Sequence, residues 1–177
     1  SMHQIQWILE DSGAKIAFTE TRDHTQLMSP FLLDETGKPK FADSPSKLER
    51  IYEFNAAGVE TLKFEGRDVE QSLIDERVAA IRHETLGSIV YTSGTTGRPK
   101  GVEISHGNWA YQCWALLENE IGSVSFPGQR MVTFLPLAHV LARAVSLAWT
   151  ISGATQSHWS DTSTMMVELQ RVRPNLV

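Results

Sequence analysis

The apolar run Ile89-Val90-Tyr91 passes directly into Thr92-Ser93-Gly94-Thr95-Thr96-Gly97-Arg98-Pro99-Lys100-Gly101. This junction constrains the fold more than any other feature. Gly87 to Thr92 shows no polar alternation, which predicts a central, parallel strand buried on both faces. The hydroxyl- and glycine-rich residues then form a loop at that strand's carboxyl end, where ligands bind in open α/β sheets.

Each residue type in the loop has a physical use. Gly94, Gly97 and Gly101 permit backbone conformations and close approaches that a Cβ would forbid. Backbone N–H groups in such a loop converge into a concave anion site. Thr92, Ser93, Thr95 and Thr96 add hydroxyl donors for phosphate oxygens, and one of them, assigned as Thr92, can face a Mg²⁺ ion, which prefers hard oxygen ligands. Lys100 brings a positive charge toward a developing pyrophosphate. A flexible surface loop of small residues would not need this order of strand, hydroxyls, glycines and lysine. The Walker A loop fails, because it requires adjacent Gly-Lys followed by Ser or Thr, and Lys100 lies between Pro99 and Gly101. The dinucleotide pattern Gly-x-Gly-x-x-Gly is absent from this segment.

Around the loop, strand and helix patterns alternate. Ile5, Ile8 and Leu9 form a helical stripe that Ser12-Gly13 ends, beginning so near residue 1 that no N-cap turn is expected. Ala14–Thr19 reads as a strand, and His24–Leu33 is ambiguous because Pro30 limits a helix. Asp34–Pro45 reads as turn or loop. Ile51–Phe54 and Thr61–Phe64 are short strand candidates, and Val69 to Arg82 keeps helical spacing. Ser105 caps a helix to about Ile121 with an inner stripe of Trp109, Cys113, Leu116, Leu117 and Ile121. Arg130–Leu135 is a buried strand. His139–Ser152 is apolar nearly all round and hence a buried helix. Ala154–Trp159 is a strand, and Asp161 or Thr162 caps a last helix bearing Met165, Met166 and Leu169. Trp109, Trp114 and Trp149 lie at apolar helix positions and are expected in the core. The pattern predicts an α/β fold: an open, mainly parallel sheet flanked by helices.

Composition excludes several classes. With 16 basic and 21 acidic residues the net charge is −5, which argues against a nucleic-acid binder. The single cysteine, Cys113, cannot staple the fold and suits a reducing compartment. The longest apolar run, Val140–Ile151, is broken by Arg143 and is too short for a membrane span. The polar stretch after Met2 does not read as a signal peptide. Both ends look cut, so residues 1–177 are read as a single partial domain with the phosphate loop at 91–101.

The segment Tyr91–Gly101 resembles the phosphate-loop signature of the adenylate-forming superfamily, which includes acyl-CoA synthetases, luciferases and peptide-synthetase adenylation domains. The resemblance implies that carboxylate plus ATP gives acyl-adenylate and pyrophosphate, and that a thiol, here coenzyme A, then attacks the adenylate. It assigns Thr92, Ser93, Gly94, Thr95, Thr96, Gly97 and Lys100 to the ATP phosphates, with Thr96 and Lys100 as catalytic groups and Thr92 as a partial Mg²⁺ site. Phe134-Leu135-Pro136-Leu137-Ala138-His139-Val140 is similar to the family motif bordering the acyl pocket, which makes His139 a substrate-binding candidate. A capping or core role is the competing reading for that histidine.

Together with Gln4–Gly13 and Ser105-His106-Gly107-Asn108, these segments resemble bacterial long-chain fatty acyl-CoA synthetases, whose large N-terminal domain would contain this chain. The resemblance is weakest between about Thr21 and Glu65. Some long-chain members place a gating tryptophan four residues after the motif histidine. Arg143 stands there instead, read either as a polar anchor within the tunnel entrance or a membrane-facing surface, or as a structural arginine at the edge of a buried helix, paired with a carboxylate. The family's Tyr-Gly-x-Thr-Glu motif, its ribose-binding aspartate and its C-terminal adenylation lysine have no counterpart in residues 1–177, so the remainder of a longer polypeptide would complete the site. The expectation is therefore an AMP-forming ligase, inactive as this piece alone. Its small-molecule partners would be long-chain fatty acid, ATP and CoA, its location cytoplasmic, and peripheral membrane association of the parent stays open. A different adenylating enzyme or a non-catalytic nucleotide-binding module remains the alternative.

Overall fold

Leu9, Ala17, Phe31 and Leu48 form a buried cluster, with Ile5, Ala14, Met28, Leu32 and Ile51 packed around it. They come from segments far apart in the chain, and this burial holds the first part of the molecule together. The computed structural model describes residues 1–40, 44–92, 98–119 and 127–175. The chain organises as two compact units, Ser1–Ala80 with Tyr91–Val102, and Ile81–Val90 with Glu103–Val177.

In the first unit α1 spans Met2–Ser12 and ends at Gly13, whose φ of 62° is left-handed. Ser1 supplies the N-terminal turn not expected from sequence: its carbonyl accepts from the amides of Gln4 and Ile5. Strand β1 (Ile16–Thr19) pairs in parallel with β2 (Arg50–Glu53), Ile16 opposite Arg50 and Thr19 opposite Glu53. The ambiguous His24–Leu33 segment resolves into α2 (Arg22–Met28) and a 3₁₀ turn, Ser29–Phe31, that contains Pro30. Thr19 is buried without an orphaned hydroxyl, because it bonds Thr25 Oγ1 at 2.7 Å, which also donates to Glu53 at 2.7 Å. The Asp34 carboxylate organises the following turn by accepting from the amides of Thr36 and Lys38.

Helix α3 covers Gly58–Glu65, so the strand expected at Thr61–Phe64 is not formed. The reason lies just upstream. The chain leaves β2 through left-handed Ala57, and Gly58 packs so tightly on Glu53 that an added Cβ would lie 2.6 Å from its carbonyl oxygen. That close approach starts a helix, and the weak strand preference of Thr61-Leu62-Lys63-Phe64 is overridden. Helix α4 (Gln71–Ala79) follows, shorter than the expected 69–82 span, and its apolar stripe of Leu73, Ile74 and Val78 is exposed.

Strand β3 (Leu86–Thr92) pairs with β4 (Lys100–Ser105) in a two-stranded sheet. Their residues divide between the units: Tyr91–Thr92 and Lys100–Val102 fall in the first, the rest in the second. Among the described residues β3 has no second neighbour, so it is not the central, fully buried strand expected. An apolar run does not report how many sides of a strand are paired. Strand β4 itself was missed because Pro99, Lys100 and Gly101 read as loop.

The second unit is built on a β-α-β arrangement. Strand β5 (Arg130–Thr133) leads into α6 (Val140–Ser152), and β6 (Thr155–His158) returns parallel to β5, Arg130 opposite Thr155. A helical crossover is what a parallel pair requires. Helix α5 (His106–Glu118) packs on α6, where Cys113 Sγ lies 3.9 Å from the Ala144 carbonyl, and Ala142, Ala144 and Ala148 of α6 are buried. Helix α6 is not buried all round, since Val140, Leu141 and Ile151 stand exposed. Apolar content alone does not say how many faces of a helix are covered. Gly153, with φ of 77°, ends α6. Gln156 then ties β6 back to α6 by donating to the Ser146 carbonyl and Thr150 hydroxyl, both at 2.9 Å.

Of the three tryptophans expected in the core, Trp149 is buried, Trp109 is half-buried and donates to Ser88 Oγ at 2.8 Å, and Trp114 is exposed beside Tyr111. Asp161 caps a 3₁₀ turn, Thr162–Thr164, ahead of α7 (Met165–Val172). There Met166 is exposed rather than packed, and the buried polar residue is Glu168, held by Arg171 at 2.8 Å. The α/β class with parallel pairing is as expected, and the described strands form three two-stranded sheets.

Ser105 closes a capping box at the start of α5. Its hydroxyl accepts from the Asn108 amide at 3.2 Å, and the Asn108 side chain accepts from the Ser105 amide at 3.0 Å. Ser105→Ala is expected to lower stability by about 1 kcal/mol in denaturant unfolding, and Ser105→Asp to retain most of it.

Candidate functional site

Helix α1 has two working faces. Ile5 and Leu9 point to the first unit's core. At roughly 100° per residue, Trp7 and Asp11 lie about 200° from them on the other side. Trp7 Nε1 donates to the Pro99 carbonyl at 2.8 Å, and the Arg98 guanidinium sits 5.0 Å from the centre of the Trp7 ring, within cation–π range. One turn along the helix, Asp11 accepts a 2.6 Å hydrogen bond from the Tyr91 hydroxyl. The two stems of the glycine-rich loop, Tyr91 before it and Arg98-Pro99 after it, are both tied to this face of α1.

The Tyr91 phenol is pushed up to about 12, first by burial and then by the Asp11 carboxylate that its hydroxyl bonds. A phenol with a raised folded value stabilises the fold fully below its ordinary value of 10.0, and that contribution fades as pH rises through about 12.

Of the residues assigned to phosphate, Thr92 closes β3 and is exposed, and Lys100 opens β4 and is also exposed. Lys100 therefore sits on a strand, not within the loop. Ser93, Gly94, Thr95, Thr96 and Gly97 lie outside the described residues. Against the outer face of α1 is a polar cavity of about 560 Å³, lined in part by His3, Gln6, Glu10 and Arg98.

His139 belongs to the second unit and occupies the N-cap position of α6, though its ring makes no capping hydrogen bond. Its amide donates to the Pro136 carbonyl at 2.9 Å. Arg143 Nε donates to the Leu137 carbonyl at 3.1 Å, so Arg143 braces the Pro136–His139 turn through a carbonyl and not through the carboxylate expected. The same side chain lines an apolar cavity of about 400 Å³ with Trp109, Cys113, Leu147 and Ile151. Arg143 is thus a structural donor at the head of α6 whose side chain also lines an apolar space. Thr133 Oγ1 and Trp149 Nε1 are buried in this unit without a hydrogen-bond partner among the described residues.

Trp7 and Asp11 were not singled out as site residues from sequence. Their spacing, one turn apart and off the Ile5/Leu9 stripe, is the signal that could have found them. Their partners lie some ninety residues away, and no local pattern names those.

The sequence model of the family described as AMP-binding enzyme matches residues 1–177. Long-chain-fatty-acid–CoA ligase FadD15 of Mycobacterium tuberculosis is 31% identical over 180 residues, covering 100% of this chain and 28% of that protein. Long-chain-fatty-acid–CoA ligase ACSBG2 of Mus musculus is 32% identical over 116 residues, covering 63% of this chain and 17% of its own length. The chain thus spans under a third of the relatives it matches. Among solved structures, the N-terminal domain of FACL13 from Mycobacterium tuberculosis superposes with a TM-score of 0.64 at 18% identity, over 98% of this chain and 39% of that one. O-succinylbenzoate coenzyme A synthetase (MenE) from Bacillus subtilis, in complex with ATP and magnesium ion, superposes with a TM-score of 0.60 at 17% identity, over 99% of this chain and 40% of that one. At that identity the two structures speak for the fold. The hydroxyl- and glycine-rich segment between β3 and β4 and the family match over all 177 residues agree, and the chain belongs to the AMP-binding enzyme family.

Proposed function

We propose that this chain is the phosphate-binding part of an ATP-dependent long-chain fatty acid–CoA ligase. The observation that carries the reading is the hydroxyl- and glycine-rich segment between β3 and β4, with Thr92 and Lys100 exposed at its two ends. Its occurrence in a chain that matches FadD15 from end to end supports the long-chain class.

In the first half-reaction a fatty-acid carboxylate oxygen attacks the α-phosphorus of ATP. An O–P bond forms, the bond to the β-phosphate breaks, and acyl-adenylate and pyrophosphate result. Thr96 donates a hydrogen bond to oxygens that gain charge in the transition state, and the Lys100 ammonium offsets the charge of the leaving pyrophosphate. Ser93, Thr95 and the amides around Gly94 and Gly97 hold the triphosphate. In the second half-reaction the coenzyme A sulfur attacks the acyl carbonyl and AMP departs.

The Thr92 hydroxyl is a hard oxygen of the type Mg²⁺ accepts, and among the described residues no three His, Cys, Asp or Glu side chains cluster into a metal site. That donor set fits an ion held mainly by the triphosphate, with one hydroxyl from this chain. Magnesium bound in this way would neutralise phosphate charge. The apolar cavity edged by Arg143 has the chemistry for an alkyl chain, with His139 on the adjoining turn as the acyl-pocket candidate. Long-chain acids partition into lipid, so the parent is proposed to act from the cytoplasm at a membrane surface. Among the described residues no helix is long and apolar enough to cross a membrane.

The full-length parent is expected to catalyse pyrophosphate–ATP exchange that depends on long-chain fatty acid. Exchange that responds to amino acids and ignores such acids would favour a peptide-synthetase reading instead. Thr96→Val in the parent removes the hydroxyl at nearly constant shape and is expected to slow adenylation by about a hundredfold. An unchanged rate would remove Thr96 from the site. The 177-residue chain alone is expected to bind MgATP at millimolar affinity or weaker and not to turn over. Charged-group contacts are worth about 1.5–3 kcal/mol each, and three missing ones move a micromolar site beyond millimolar at about 1.4 kcal/mol per tenfold. Calorimetric titration checks this, and micromolar affinity would show that residues 1–177 complete the site.

A further inference from the structure

We propose that Trp7 and Asp11 are positioning residues for adenylation, a clamp on α1 that holds the two stems of the phosphate loop in register. The proposal rests on the ligase reading above. It deepens that reading by naming what sets the loop's place.

Tyr91 and Pro99 flank the loop, eight positions apart in the chain. On α1 their partners Asp11 and Trp7 are four positions apart, about 6 Å along the helix axis at 1.5 Å per residue. One rigid element therefore contacts both ends of the loop. The rigidity has a source, because the opposite face of α1 carries Leu9, which is 5% exposed, into the Phe31–Leu48 cluster. Glycine and small hydroxyl side chains offer little apolar surface for packing, so the clamp is placed on the flanking residues Tyr91 and Pro99. Donors aimed at a phosphate lose their advantage when displaced by a fraction of an ångström to an ångström.

The contacts are specific in kind. The Tyr91–Asp11 bond joins a phenol to a carboxylate at 2.6 Å and belongs to the stronger, charge-assisted class. Proline has no amide hydrogen, so the Pro99 carbonyl is that residue's one backbone polar group, and Trp7 occupies it. The Trp7 ring also lies under the Arg98 guanidinium, so a single side chain touches two consecutive stem residues. Neither Trp7 nor Asp11 carries phosphate chemistry of its own in this arrangement. They act through Tyr91 and Pro99.

The test uses the full-length enzyme with Asp11→Ala, Asp11→Asn, Tyr91→Phe, Trp7→Phe and the pair Asp11→Ala/Tyr91→Phe. Two readouts are taken: fatty-acid-dependent pyrophosphate–ATP exchange, and amide hydrogen exchange at Tyr91, Thr92, Arg98 and Lys100. Asp11→Ala, Tyr91→Phe and Trp7→Phe are each expected to lower kcat about tenfold, leave KM for fatty acid unchanged and speed exchange of the stem amides. The pair should lose no more than either single change, since both remove one bond. Asp11→Asn should recover most of the rate, because its amide oxygen still accepts from the phenol. Rates within about twofold of wild type for both Asp11→Ala and Trp7→Phe would overturn the proposal. So would Asp11→Asn proving as slow as Asp11→Ala, with the melting temperature and every kinetic constant falling together. A wild-type enzyme with no exchange activity would count against the ligase reading and not against the clamp, which then stands only if Asp11→Ala and Trp7→Phe deprotect the stem amides.

Discussion

Burial of Leu9 against Phe31 and Leu48 is the contact on which the first unit depends. Fully burying a leucine or phenylalanine side chain is worth about 1.5–3 kcal/mol, more than a typical neutral hydrogen bond at about 0.5–1.5 kcal/mol. That burial fixes the rotation of α1 about its own axis. Once Leu9 faces inward, Trp7 and Asp11 must face the other way, and the loop stems meet them there. Packing and function are thus linked through the helical period, with one face held by apolar contact and the other by two directional bonds.

The second unit solves a different problem. A parallel pair cannot be closed by a tight turn, so β5 and β6 need α6 between them, and α6 in turn needs a surface to bury. Helix α5 supplies that surface on one side, with Cys113 Sγ 3.9 Å from the Ala144 carbonyl. The Gln156 bonds to Ser146 and Thr150 then lock the returning strand to the helix it has just left. The Pro136–His139 turn at the head of α6 is braced by Arg143, which places a candidate substrate residue on a held turn and not on a free one.

Most of the elements were legible in the sequence because they follow local rules. Gly13 and Gly153 end helices where a left-handed residue is needed, Ser105 begins one, and the apolar runs at Ile16, Ile51 and Met131 are strands. The misreadings share a cause. Thr61–Phe64 has weak strand preference locally, but the Gly58–Glu53 approach that makes it helical is a tertiary contact. The burial expected all round α6, and the central position expected for β3, depend on how many neighbours each element has, and periodicity carries no such count.

The sequence by itself determined the family and carried the chemistry proposed for the segment, because phosphate recognition needs particular atoms in a particular order along one short stretch. Glycines, hydroxyls and a lysine next to a strand are a local requirement, and Tyr91–Gly101 states it in full. Only the tertiary structure decided what holds that stretch. Asp11 lies 80 residues from Tyr91 and Trp7 lies 92 from Pro99, and their hydrogen bonds exist because the core turns one face of α1 inward and so presents the other to these residues.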